Sequence, residues 1–324
     1  MNPLHEGRIT FLSLLLWHQS YLSHGHTENA CLQGACRGHE DIDASDAQST
    51  LLQVGAESFR KLGSTMIGIP SDWPGIDGSR NVENVSMEDG IWLPAFQIGS
   101  DAVSHPVVYA HELFGSSRSS WSSGFQSAWA ETGNIGTYYD SRGHGLSVGW
   151  DSPEIIDKSG PFSWASLARD MLKVADHFGN GKFVAVGTSQ GAATSLMLAA
   201  QAPERVMAVA MVMPPAVWED RPEIARHWAN ESQKLKSAGD PLWIVADGAS
   251  KAQLPPRDYI RENVKCPTLI LTTEVEQLKR RHPVSSAEEL KKVLGERAEL
   301  QWFRSLDDVP QLIIDFITRT SIGV

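Results

Sequence analysis

The sequence predicts an α/β fold: a mostly parallel sheet, covered by helices on both faces, with a small helical lid insertion. Three observations predict it. Short runs that are apolar at every position alternate with longer stretches of helical period, and strands buried on both faces belong to parallel sheets. Residues 214–264 interrupt that alternation with scattered Pro and three Trp, the usual form of a lid inserted between two strands, by analogy. No repeat of fixed period appears.

Taken in order, residues 1–80 read as a poorly ordered N-terminal extension. Its first 50 residues hold five of the eleven His and six acids against two Arg, with no lasting apolar period. His24, His26, Cys31, Cys36 and His39 are zinc-ligand types, but their spacing fits no metal pattern, and a solvated tail is the preferred reading. Residues 46–62 are mildly helical, and Pro70 and Pro74 mark a loop. The domain then occupies residues 81–324. Residues 82–87 and 91–98 read as two strands joined at an Asp89-Gly90 turn. Further strands are expected at 107–110, 135–139, 183–186, 206–213 and 268–271, with helices at 164–178, 192–202, 286–294 and 309–320. Within the insertion, 242–246 is the one candidate strand. Ser286 and Glu289 fit a capping box, and Gly295 marks the end of that helix.

Composition narrows the function classes. A formal net charge of -11 provides no basic stripe for phosphates, so no nucleic acid is expected as partner. The most apolar stretch, residues 9–17, is too short for a membrane span, which needs about 20 residues. Three Cys are no disulfide framework, so a cytoplasmic location is expected; secretion, with residues 9–17 as signal core, is the minority reading.

The strongest local pattern is Gly187-Thr188-Ser189-Gln190-Gly191, directly after an apolar run and before a small-residue helix. A nucleophile held on a sharp strand-to-helix turn has strained backbone angles, and glycines two positions away leave room for neighbouring backbone. Ser189 would be lifted to the carboxyl end of the sheet. The Gln190 N-H, at the helix start, would face a developing oxyanion.

Upstream, Tyr109-Ala110-His111-Glu112-Leu113-Phe114-Gly115-Ser116 follows another strand. With Asp140-Ser141-Arg142-Gly143-His144-Gly145-Leu146-Ser147 and Ala202-Pro203-Glu204-Arg205-Val206, it resembles the α/β-hydrolase superfamily over residues 82–320. The resemblance implies the α/β-hydrolase fold, with the Leu113 N-H joining that of Gln190 as the oxyanion hole and His111 and His144 as structural residues. Glu112 departs from the usual Gly, and its carboxylate would crowd the hole and oppose negative charge.

The remaining triad members should follow in the order Ser, acid, His. By the resemblance, the acid lies just beyond strand 268–271, which favours Glu276 with Glu274 second. The region that usually supplies the base, around Leu300-Gln301-Trp302-Phe303-Arg304-Ser305, holds no His. His282 alone preserves chain order; His227 in the lid is a remoter candidate. Lys279, Arg280 and Arg281 disfavour the imidazolium that such a base must form, blunted by screening over about 8 Å and offset by Glu276.

These residues imply a serine hydrolase acting on a carboxylic ester, lactone or related acyl compound. Ser189 would attack, His282 would act as base and Glu276 would orient it; no cofactor is required for acyl transfer. Trp218, Trp228 and Trp243 would suit an apolar small-molecule substrate. The incomplete triad keeps a second reading open, a non-catalytic hydrolase-fold protein that binds a small molecule or partner. Carbon-carbon bond hydrolysis and cofactor-free haloperoxidase activity are further alternatives within the superfamily.

Overall fold

Alternation within single strands builds the two cores. A computed structural model describes residues 82–99, 106–117, 120–147, 149, 162–218, 222–275 and 282–321. The N-terminal extension, its His/Cys group and residues 276–281 lie outside them. Among the described residues, eight strands form one sheet: β1 (Glu83–Ser86), β2 (Trp92–Ile98), β3 (Val107–Ala110), β4 (Gly136–Tyr139), β5 (Phe183–Thr188), β6 (Val206–Val212), β7 (Thr268–Thr273) and β8 (Ala298–Phe303). Their order is β1-β2-β4-β3-β5-β6-β7-β8. The pairings of β1 with β2 and of β2 with β4 are antiparallel, and all others are parallel.

Successive side chains of a strand point to opposite faces, so each buried strand feeds both sides. Val108, Ala185, Val209, Met211 and Ile270 enter one core with α2 (Trp164–His177), α3 (Gln190–Gln201) and α7 (Val284–Leu294). Val107, Tyr109, Val184, Val186, Leu269 and Leu271 enter the other, with α1 (Ser120–Glu131) and α8 (Val309–Ser321). Helix α2 shows why such a segment folds on the sheet. Leu167, Met171 and Val174 recur at helical spacing on its buried side, and the Ser163 side chain accepts the Ser166 N-H at its start. The turn after β1 is the expected one: Gly90 has φ 87, and the Met87 N-H bonds to the Ile91 carbonyl at 2.8 Å.

Between β6 and β7 lie α4 (Pro222–Ser237), α5 (Trp243–Lys251) and α6 (Arg257–Asn263). Here two local expectations are corrected. Residues 242–246 are not a strand but the N-cap and first residues of α5, because Ile244 and Val245 bury against Phe162 instead of pairing with the sheet. Asp240 braces the turn ahead of the helix, accepting the Leu242 N-H on its side chain at 3.0 Å. Ser286 and Glu289 form no capping box. Helix α7 starts two residues earlier behind Pro283, Ser286 is buried, and Glu289 pairs with Arg257. Proline suits that position because it lacks an N-H to satisfy and holds its φ at -61. Gly295 ends the helix with φ 63, as expected. No helix among the described residues is long and apolar enough to cross a membrane.

One buried ionic junction ties three distant segments. Arg142, 4% exposed, donates from Nε and Nη2 to the two carboxylate oxygens of Asp170 on α2, at 2.5 and 2.6 Å. Its Nη1 reaches Asp89, in the β1–β2 turn, at 2.8 Å. Removing one member of such a pair leaves an uncompensated charge in the interior. Arg142→Met should therefore lower the unfolding free energy by about 3–5 kcal/mol in a denaturant titration. A loss below about 1 kcal/mol, the worth of an exposed pair, would contradict this account.

Candidate active site

Ser189 occupies the single residue between β5 and α3, with φ 52 and ψ -112. Such a conformation costs a non-glycine residue of order 1–3 kcal/mol and persists only where the surroundings enforce it. The enforcement is visible. The Ser189 N-H donates to the Val212 carbonyl at 2.9 Å, while its own carbonyl accepts from Ala192 and Ala193. A Cβ on Gly187 would lie 2.1 Å from the Gly191 carbonyl oxygen. A Cβ on Gly191 would lie 2.0 Å from the oxygen of Ala110 and 2.8 Å from that of His111. Both glycines are thus dictated by backbone packing, and the second brings the end of β3 against the turn. The Gln190 N-H is among the first of α3 and has no acceptor four residues back within the helix.

The loop after β3 is fixed by His111, which is fully buried. Its Nε2 accepts the Ser141 N-H at 2.9 Å, so the ring proton sits on Nδ1 and is donated to the Glu112 carbonyl at 2.8 Å. That carbonyl also accepts the Gly115 N-H at 3.0 Å, closing a tight turn that carries Leu113 and Phe114. Phe114 has φ 60, a second strained non-glycine residue. Glu112 folds its side chain back over Gly115, where an added Cβ would stand 2.6 Å from the carboxyl carbon, and its Oε2 is buried without a hydrogen bond. Leu113 and Phe114 pack with Phe162, Ile244 and Val245, and the Phe114 ring lies 5.7 Å from Trp228 of α4. Trp243 packs on the same cluster and lies under the Lys236 ammonium at 4.4 Å, whereas Trp218 serves the frame of the insertion, donating to the Pro255 carbonyl at 2.8 Å.

Asp140, after β4, locks this loop to the next. Its Oδ1 accepts both the N-H and the hydroxyl of Ser117, at 2.8 and 2.6 Å, and its Oδ2 accepts the Leu146 N-H at 2.9 Å. The motif containing Asp140 is plain in the sequence, but its bracing role is not, because Ser117 is 23 residues away. His144 donates from Nδ1 to the Arg142 carbonyl at 2.8 Å, and its ring centroid lies 5.1 Å from that of His111.

The Gly191 contact therefore sets the Ser189–Gln190 turn against the end of β3, from which the loop carrying Leu113 departs. Glu274, at the end of β7, is exposed. Glu276 lies outside the described residues. His282 is half-buried immediately before Pro283, the N-cap of α7, with its Nδ1 shielded from solvent. Strands β5 and β7 run the same way with β6 between them, which sets their carboxyl ends roughly 10 Å apart across the sheet. Between β8 and α8 the chain closes on itself. The Ser305 side chain accepts the Asp307 N-H, and Asp308 accepts the Ser305 N-H, both at 3.2 Å. Arg304 is exposed there. His227 is exposed on α4 beside Trp228.

A family profile described as alpha/beta hydrolase fold matches residues 105–238. Solved structures resemble the chain over most of its length. An esterase from Exiguobacterium antarcticum aligns with TM-score 0.60 at 14% identity, covering 74% of this chain and 100% of the other. A thermophilic esterase from Thermogutta terrifontis gives 0.59 at 16%, covering 75% and 99%. An enol-lactonase from Burkholderia xenovorans LB400 gives 0.53 at 17%, covering 70% and 97%. No curated protein matches by sequence.

Burial, with a smaller contribution from the His111 ring, pushes the His144 imidazole down from 6.5 to about 3. The unfolded chain takes up this proton below about 6.5, whereas the folded chain resists until about 3. The resulting stability is complete above the upper value and is lost as pH falls through the window. Denaturation midpoints recorded from pH 7 to 4 should fall, with His144 contributing a slope of up to about 1.4 kcal/mol per pH unit. The slope should be shallower in His144→Gln; identical profiles would remove His144 as its source.

Proposed function

We propose that this chain, which has the α/β-hydrolase fold, uses it as a serine hydrolase of carboxylic esters, lactones or related acyl compounds. The observation that carries the reading is Ser189 at φ 52 on a strand-to-helix turn, packed by Gly187 and Gly191. A strained serine there has no structural use that an unstrained glycine would not serve better.

In this reading His282 takes the Ser189 hydroxyl proton as Oγ attacks the acyl carbon. The carbonyl oxygen becomes an oxyanion held by the N-H groups of Gln190 and Leu113. Collapse expels the leaving alcohol, which receives the proton from His282, and leaves an acyl-serine. Water, deprotonated by the same imidazole, then releases the acid and restores Ser189. Glu276 orients His282, with Glu274 as the other candidate. The helices between β6 and β7 act as a lid, and Leu113, Phe114 and Trp228 favour an apolar acyl group.

One observation favours a second reading, a non-catalytic small-molecule binder. The β8–α8 turn, where the superfamily usually places its base, carries Arg304 and closes through its own Ser305 and Asp308.

Labelling with an activated fluorophosphonate separates the two. The parent should be modified and Ser189→Ala should not; an unlabelled parent that still binds apolar esters would support the binder. Turnover should be tested across esters and lactones of graded acyl length. On the best of them, His282→Ala should lower kcat by about 10²–10⁴-fold, the usual contribution of a general base. Unchanged turnover in that variant would remove His282 from the mechanism.

A further inference from the structure

We propose that Arg257 is a positioning residue that couples the β6–β7 insertion to His282 through α7, an inference that takes His282 as the base assigned above. Its starting point is the neck of the insertion. The outgoing chain reaches Trp218 and the returning chain passes through Leu254 and Pro255, and the two are joined. The Trp218 indole N-H donates to the Pro255 carbonyl at 2.8 Å, and the Leu254 N-H approaches the Val217 carbonyl at 3.4 Å. Val217, Ala252 and Leu254 share one buried cluster.

Arg257 stands where this neck meets the domain. As the first residue of α6, it lies with its guanidinium carbon 4.8 Å above the centroid of the Trp218 ring. The same guanidinium donates from Nε to Glu289 Oε1 at 2.7 Å and from Nη2 to the same oxygen. Glu289 belongs to α7, whose N-cap Pro283 directly follows His282. One side chain thus touches the outgoing chain by its face, the returning chain by its backbone and the helix behind the base by its edge. Arginine alone among cationic residues can stack and fork at once.

The consequence is mechanical. Helix α7 is continuous from Val284 to Leu294, so a shift at Glu289 reaches its first turn, about 8 Å away. The side chains are 33% and 25% exposed, enough shielding for the contact to matter and too little to make it a core pillar. A substrate that moves α4 and α5 pulls on the neck, and the pull arrives at His282 through Arg257. The insertion then has a second task besides covering the pocket, since its seating sets the base.

The test uses the full-length chain with labelled histidine, following the His282 ring resonance assigned by its loss in His282→Gln. In Arg257→Gln the resonance should move, and kcat on the best ester should fall about tenfold or more, with KM within about twofold. Glu289→Gln, the milder change, should reproduce both effects, and the double variant should add little to either. Arg257→Lys should restore neither, because an ammonium cannot fork and stack together. An unmoved resonance in Arg257→Gln and Glu289→Gln would overturn the proposal whatever happens to thermal stability. Additive effects in the double variant would overturn it too. If His282→Gln keeps the parent kcat while Arg257→Gln still shifts the resonance, the coupling stands and the assignment of His282 as base falls.

Discussion

The close approach of Gly191 to the carbonyl oxygens of Ala110 and His111 is the constraint on which the rest of the site depends. At that point the first turn of α3 lies against the end of β3 with no side chain between them. The strained Ser189 turn and the loop bearing Leu113 are adjacent because of it. Any larger residue would push helix from strand and separate the Ser189 turn from that loop. The strain at Ser189 is offset by the surrounding core, since β5 is buried at every position.

Two polar hubs keep the neighbouring loops from relaxing. Asp140 holds Ser117 and Leu146, and Arg142, two residues on, holds Asp89 and Asp170. Buried charge is costly unless fully paired, and here it sits where loops from several strands converge. The imidazoles of His111 and His144 complete the bracing through backbone partners. The hydrogen bonds of His111 and the depressed proton affinity of His144 suit rings that hold backbone in place rather than exchange protons with substrate.

Much of this is legible in the sequence, and the exceptions have physical reasons. Among the strands with every position buried, β4 is Gly136-Thr137-Tyr138-Tyr139, whereas β3, β5 and β7 each show an apolar run of three or more residues. Edge strand β8 does not, because its mixed exposure matches neither alternation nor a buried run. Helix α1 begins with Ser and Gly and shows its period only at Phe125 and Trp129. Helix α5 reads as a strand because a short apolar run has no period of its own; burial of Ile244 and Val245 against Phe162, away from the sheet, decides. The Ser189 turn is legible since its glycine spacing is a local requirement. The bonds of Asp140 to Ser117 and of Arg257 to Glu289 span 23 and 32 residues, and no local pattern announces them.

The turn between β8 and α8 carries an evolutionary meaning. The side chains of Ser305 and Asp308 satisfy backbone groups of this turn. A segment that folds by its own means places no demand on the chemistry nearby, so its residues can drift without unfolding the domain. Ser189 has no such freedom, because its flanking glycines are held by the packing of the central strands.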